Sequence, residues 1–234
     1  MAITDELLAR AARFDIAAVE DVLSHYRPAV HRLAAGLSGR AKTGAAITRQ
    51  VLLQSLNFVA AWDDRAKVER WFYHHAILAA RPYAERPPDP KVDTLLPAGA
   101  GNDPQALAFV KALRSLPHQQ REALLLSVGE QLPPRSMATA MDFSLEASGN
   151  HLGNAKRTLR AIAGDSYLAL ELAVATAYAS LTPAGDETLP LVRQTIKRHV
   201  WPRRLKFLAS LVLLLAILVA IGWAVWKIYP RIEI

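Results

Sequence analysis

Apolar residues in the first third of the chain recur three and four positions apart. Val19, Val22, Leu23, Tyr26, Val30, Leu33, Ala34 and Leu37 form one such series, the mark of a helix buried along one side. Pro28 falls inside it and predicts a kink, or a boundary between two helices. After Ser38 and Gly39 the helical period resumes with Ile47, Val51, Leu52, Leu56 and Val59, and residues 68–80 supply a further apolar-rich helix. No run of alternating β-branched residues occurs in the sequence, so the expected fold class is all-α.

Six of the fourteen prolines stand between 82 and 104, a density that admits neither a helix nor a central strand. Residues 83–104 therefore predict a linker between a helical domain at 1–82 and a second at 105–163. In the second, 105–115 reads as a short helix stopped at Leu116 and Pro117, and 118–131 carries Leu124, Leu125 and Val128 on one side. Pro133 and Pro134 start a third helix, where the fixed φ of proline is favourable, and it ends near Met141. Asp142, Phe143 and Ser144 make a tight turn before a last helix from 145 to about 162. Ala138 and Phe143 occupy the places where a helix-turn-helix needs a small residue at the helix contact and a large apolar one in the turn. A plain helical bundle with a coincidental turn is the other reading of this pattern.

The C-terminal part differs in kind. Residues 207–226 read FLASLVLLLAILVAIGWAVW, with Ser210 the one polar side chain. As a helix these twenty residues would span about 30 Å, the thickness of a bilayer's hydrocarbon core. A buried core helix of this length nearly always keeps a polar face, and this one has none. Trp201 before the stretch and Trp223, Trp226 and Tyr229 at its far end suit the headgroup layer. The expected divisions are 164–204 for an extra helix and a basic juxtamembrane segment, 205–229 for a transmembrane helix and 230–234 for a short tail.

Charge changes meaning once that span is seen. The chain carries a net +7, which would ordinarily suggest nucleic-acid binding. Residues 1–189 hold 20 Lys and Arg against 20 Asp and Glu, while 190–234 hold 8 against Glu233 alone. The excess sits at the membrane flank, in Lys197, Arg198, Arg203, Arg204 and Lys206 among others. By the positive-inside bias the N-terminal domains stay cytoplasmic and only a few residues cross. The acidic, amphipathic N-terminus shows no secretory signal, so the expected partner is the lipid bilayer through a tail anchor. Residues 167–181, YLALELAVATAYASL, are apolar on nearly all faces but short for a span. They predict a helix packed on the soluble core, with a re-entrant or dimerising role as the alternative. Leu189, Val192 and Ile196 line a short basic helix suited to anionic lipid.

The order of the two helical blocks and several phrases resemble bacterial RNA polymerase sigma factors of the sigma-70 family, extracytoplasmic-function type. VEDVLSHYRPAVHRLAAGLSG, RQVLLQSL and VERWFYHHAILAARPY look like the helices of that family's region 2. LRSLPHQQREALLL and PRSMATAMDFSLEASGNHLGNAKRTLRAI are similar to region 4 and its helix-turn-helix. Together they cover about residues 15–162. The resemblance implies a membrane-tethered initiation factor in the bacterial inner membrane, with RNA polymerase core and promoter DNA as partners. It places Asn150, His151, Asn154, Lys156, Arg157 and Arg160 at the DNA. It also puts Trp62, Arg65, Lys67, Arg70 and Tyr73 near an exposed single strand, and Arg49, Gln50 and Gln54 at the polymerase.

Several positions depart from the family pattern. TGAAITRQ at 43–50 stands where the family has an acidic run presented to the polymerase, and Ile77-Leu78 replaces an arginine-asparagine pair. Gly149 and Gly153 weaken the recognition helix, and Ser148 takes the place of a buried valine. Residues 133–164 hold four basic and two acidic side chains, few for phosphate contacts. A second reading follows: a membrane-anchored helical adaptor of sigma-factor descent that binds a regulatory protein. Release by a membrane protease is a further expectation for an anchored factor. Trp71 and Phe72 suit packing better than base stacking, and His74 and His75 face different directions with no third histidine at ligand spacing, so neither metal nor cofactor is expected. With no cysteine for a thiolate, no nucleophile-base constellation and no glycine-rich phosphate loop, an enzyme is not expected.

Overall fold

The structure, a computed structural model of the chain, describes residues 3–183, 190, 193, 194, 210, 212–219, 221 and 223. All regular structure among the described residues is helical, in agreement with the all-α expectation. Two compact units are distinguished, 1–192 and 193–234. The described part of the first contains α1 (Asp5–Ala12), α2 (Ile16–Ser38), α3 (Ala41–Ser55), α4 (Arg65–Ala84), α5 (Pro104–Ser115), α6 (His118–Leu124), α7 (Pro134–Met141), α8 (Leu145–Ala163) and α9 (Tyr167–Ala179).

Helix ends follow their capping residues. The Thr4 hydroxyl accepts from the Leu7 N–H at 3.2 Å to start α1, and Asp15 accepts from the N–H groups of Ala17 and Ala18 to start α2. α2 continues through Pro28, which neither ends the helix nor separates two. Its buried face, from Ala18 to Leu37, outweighs the one backbone bond that proline removes, and the carbonyl deprived of its partner belongs to exposed Ser24. Gly39 stops the helix at φ +73°, and a Cβ there would meet Pro88 at 2.8 Å, so both backbone and space demand glycine. α3 crosses α2 so closely that a Cβ on Gly44 would lie 2.6 Å from that of Ala35. Gly44 thus serves a helix crossing. α4 starts at Asp64 and packs Phe72 on Tyr26, ring centroids 4.7 Å apart.

α4 runs on to Ala84 and α5 begins at Pro104, and between them residues 85–103 form no α-helix or strand but are packed on the helices. Two 3₁₀ turns, Pro90–Val92 and Ala100–Asn102, shape them, and Leu95 is fully buried. Asp93 meets Arg114 of α5 in a bidentate ion pair, both bonds 2.6 Å, with the Arg114 side chain 3% exposed. Arg114 also donates to the carbonyls of Gly36 and Leu37 in α2, and the Thr94 hydroxyl donates to that of Ala35. The segment is a strap that fixes α5 to α2.

The helix read at 118–131 is shorter than its pattern suggests. α6 gives way to a π-helical turn at Leu125–Gly129, and Gln131 follows at φ +54°. One wide turn re-aims the side chains after it, which matters for Glu130 below. α9 then packs along α8 and against this turn through Tyr167, Leu170, Val174 and Tyr178.

In the second unit, residues 212–219 are helical with exposed side chains. Among the described residues no helix is long and apolar enough to cross a membrane. Most of the expected 205–229 span lies outside the described residues, as do Lys197, Arg198, Arg203, Arg204 and Lys206, Leu189, Val192 and Ile196, and the 230–234 tail.

Candidate nucleic-acid interface

α7, its turn and α8 form the predicted helix-turn-helix. Asp142 closes α7 at φ +60°, a left-handed position that aspartate tolerates, and the Phe143 N–H donates to the Ala138 carbonyl at 3.0 Å. Ser144 then caps α8 by accepting from the Ala147 N–H at 3.0 Å. Ala138 is buried at the helix contact as expected. Phe143 is 37% exposed; instead of filling the turn's interior, its ring lies against His151, centroids 5.3 Å apart.

α8 buries Ser148, Ala155, Leu159 and Ala163. At 100° per residue, Asn150, Asn154 and Arg157 fall on the opposite, exposed stripe. Arg157 donates to the Asn154 carboxamide oxygen at 3.2 Å, so the two present one joined polar surface. Lys156 and Arg160 fall on a flanking stripe that turns toward α9. Lys156 Nζ lies 3.6 Å from a Glu171 carboxylate oxygen, and the Arg160 guanidinium sits 4.9 Å above the Tyr167 ring. The Tyr167 hydroxyl donates in turn to Glu171, and burial followed by that carboxylate pushes the phenol's pKa up. Gly149 and Gly153 are exposed on α8, and a Cβ on either would meet nothing within 4 Å.

The expected single-strand face on α4 is dispersed. Trp62 is 2% exposed, in the core near Phe72 at 6.0 Å between ring centroids. Tyr73 is buried and donates to Glu130 at 3.2 Å; burial, then that carboxylate, raises its pKa. Arg70 pairs with Asp142 at 2.9 Å, Lys67 pairs with Asp63, and Arg65 is exposed. Arg70 and Tyr73 line, with Glu69, Arg135 and Thr139, a groove of about 130 Å³ between α4 and α7. Phe72 is core, whereas Trp71 is half-buried and stacks on His75 at 3.8 Å. His74 Nδ1 faces the Ala140 carbonyl at 3.0 Å. Among the described residues no cluster of His, Asp or Glu has a metal-binding arrangement. Arg49, Gln50 and Gln54 share an exposed face of α3.

Long-range polar contacts join the two helical blocks, and periodicity gave no sign of them. Glu130, its side chain 4% exposed, takes a bidentate pair from Arg32 at 2.9 and 2.8 Å and hydroxyl bonds from Tyr73 and Tyr178. Arg81 pairs in the same bidentate way with buried Glu122. Buried Arg121 donates to the carbonyls of Ala84, Arg114 and Leu116. Desolvation, then repulsion from Arg114, brings its pKa down to about 10, so it stays charged at neutral pH. The one available signal was a charged residue at a position the helical period assigns to packing, as with Arg121, three positions before Leu124 and four before Leu125.

Residues 106–159 match the family model described as Sigma-70, region 4. The matched stretch runs from α5 through α7 and its turn into α8 as far as Leu159. No curated protein matches the chain.

Proposed function

We propose that the chain is a membrane-tethered, sigma-like transcription initiation factor that binds promoter DNA through α8 and RNA polymerase core through its helical body. The observation that carries this is the capped α7-turn-α8 unit, with Asn150, Asn154 and Arg157 facing outward, inside the stretch that matches Sigma-70 region 4. Asparagine suits adenine and arginine suits guanine in a major groove. Tethering rests on the sequence of 207–226 and its basic flank, and it implies an inner-membrane position with α1–α9 in the cytoplasm. The reading is tested with the full chain in lipid nanodiscs, by co-purification with polymerase core and by run-off transcription. Failure of both with folded protein refutes it.

A second reading, a membrane-anchored adaptor that binds a regulatory protein, draws on the neutral body and on the α4 side chains that make internal contacts. Promoter-dependent transcripts from the full chain with core polymerase would rule it out.

A further inference from the structure

α9 has no part in the stretch that matches region 4, which ends at residue 159. Yet it reaches two places that matter to the proposed function. At its C-terminal end the Tyr178 ring is wholly buried between two glycines. A Cβ on Gly36 of α2 would lie 2.7 Å from the ring, and one on Gly129 of the π-helical turn would also lie 2.7 Å from it. Its hydroxyl donates to Glu130 at 2.9 Å, the carboxylate that already holds Arg32 of α2 and Tyr73 of α4. One α9 side chain therefore plugs the junction between the two helical blocks. At the N-terminal end, Tyr167 and Glu171 engage Arg160 and Lys156. These are two of the three basic residues of α8, the side-chain type that contacts phosphate, and α9 engages them without burying them.

We propose that α9 is a cis-acting cover: seated by Tyr178, it holds Lys156 and Arg160 away from nucleic acid, and its release switches α8 to full DNA binding. Tyr178 and the two residues that engage those cations, Tyr167 and Glu171, are on the same thirteen-residue helix, so loosening one end frees the other. Glycine at position 36 is what admits the plug. Alanine there favours α2 itself, so Gly36→Ala expels the ring without breaking the helix that carries it. The proposal rests on the DNA-binding reading above, and its test separates the two.

The test uses the full chain in nanodiscs as wild type, Gly36→Ala and Tyr178→Ala, with helicity checked by circular dichroism. Tyr178→Phe, which loses only the hydroxyl, serves should either of these unfold. The first readout needs no DNA: acylation of Lys156, measured by mass spectrometry against exposed Lys111, is expected to quicken about fivefold. The second is binding of a fluorescent mixed-sequence DNA duplex. The variants are expected to bind more tightly than wild type, with the slope of log affinity against log salt steeper by about 1.8, because each added phosphate contact contributes about 0.9. Unchanged Lys156 acylation in folded variants overturns the cover. So does faster acylation with wild-type affinity and slope. Faster acylation with no duplex or polymerase binding by any form supports the cover and refutes the transcription reading.

Discussion

Asp93→Ala probes the strap at its most demanding point. The substitution removes both 2.6 Å bonds to Arg114 and the acceptor for the Leu95 N–H at 2.8 Å. It leaves a guanidinium that is 3% exposed with only the Gly36 and Leu37 carbonyls. Stranding one member of a buried pair costs about 3–5 kcal/mol, a large share of a total stability that is typically about 5–15 kcal/mol. At about 2–4 °C per kcal/mol for a unit of this size, the midpoint of thermal unfolding should fall by about 6–20 °C. Replacing both partners, Asp93→Ala with Arg114→Met, should recover much of that loss, because no buried charge is left unpaired. Circular dichroism of the full chain in mild detergent measures both. A loss below about 1 kcal/mol for the single variant, or a double variant worse than the sum of its singles, would refute the assignment of Asp93 and Arg114 as a desolvated, mutually dependent pair.

Gly149→Ala and Gly153→Ala should each stabilise the chain by about 1 kcal/mol, read from denaturant midpoints, since an added Cβ meets nothing. Ser144→Ala removes the cap of α8 and should cost about 1 kcal/mol in the same assay. Burial, then the positive charges of Arg27 and Arg32, holds the His31 pKa below its ordinary 6.5. The unfolded chain then binds the proton more readily, so this stability is complete above pH 6.5 and is lost as pH falls through the lowered folded value. His31→Leu should therefore lessen the loss of stability between pH 7.5 and 5.5 relative to wild type, and an identical pH profile would count against it. Arg157→Ala should weaken duplex binding and reduce the salt slope by about 0.9 if the arginine contacts a phosphate, or relax preference at a guanine if it reads a base.

Much of the helical frame was legible because local rules decided it. The Pro133-Pro134 start, the Asp142-Phe143-Ser144 turn and the 105–115 helix depend on proline, a short polar turn and period alone, and the structure has α5, α7 and α8 within a residue or two of those readings. Of the two readings of Pro28, the boundary between helices is overturned, because tertiary burial along α2 overrode a local breaker. For the 83–104 segment composition spoke for a linker but carried no sign of its packing, in which one aspartate and one leucine pin it. The outward stripe of α8 could be read from its period. The engagement of Lys156, Arg160, Arg70 and Tyr73 could not, since their partners stand on α9 or in turns distant along the chain and no spacing rule reaches that far.

The three partners of Glu130 are spread along the chain in a way that sets an order of events during synthesis. Arg32 and Tyr73 precede it, whereas Tyr178 follows it by 48 residues. At about 5–20 residues per second, a ribosome needs roughly 2–10 s to add that stretch. Each newborn molecule therefore passes through an interval in which α2, α4 and α6 can already meet while the slot between Gly36 and Gly129 is still empty.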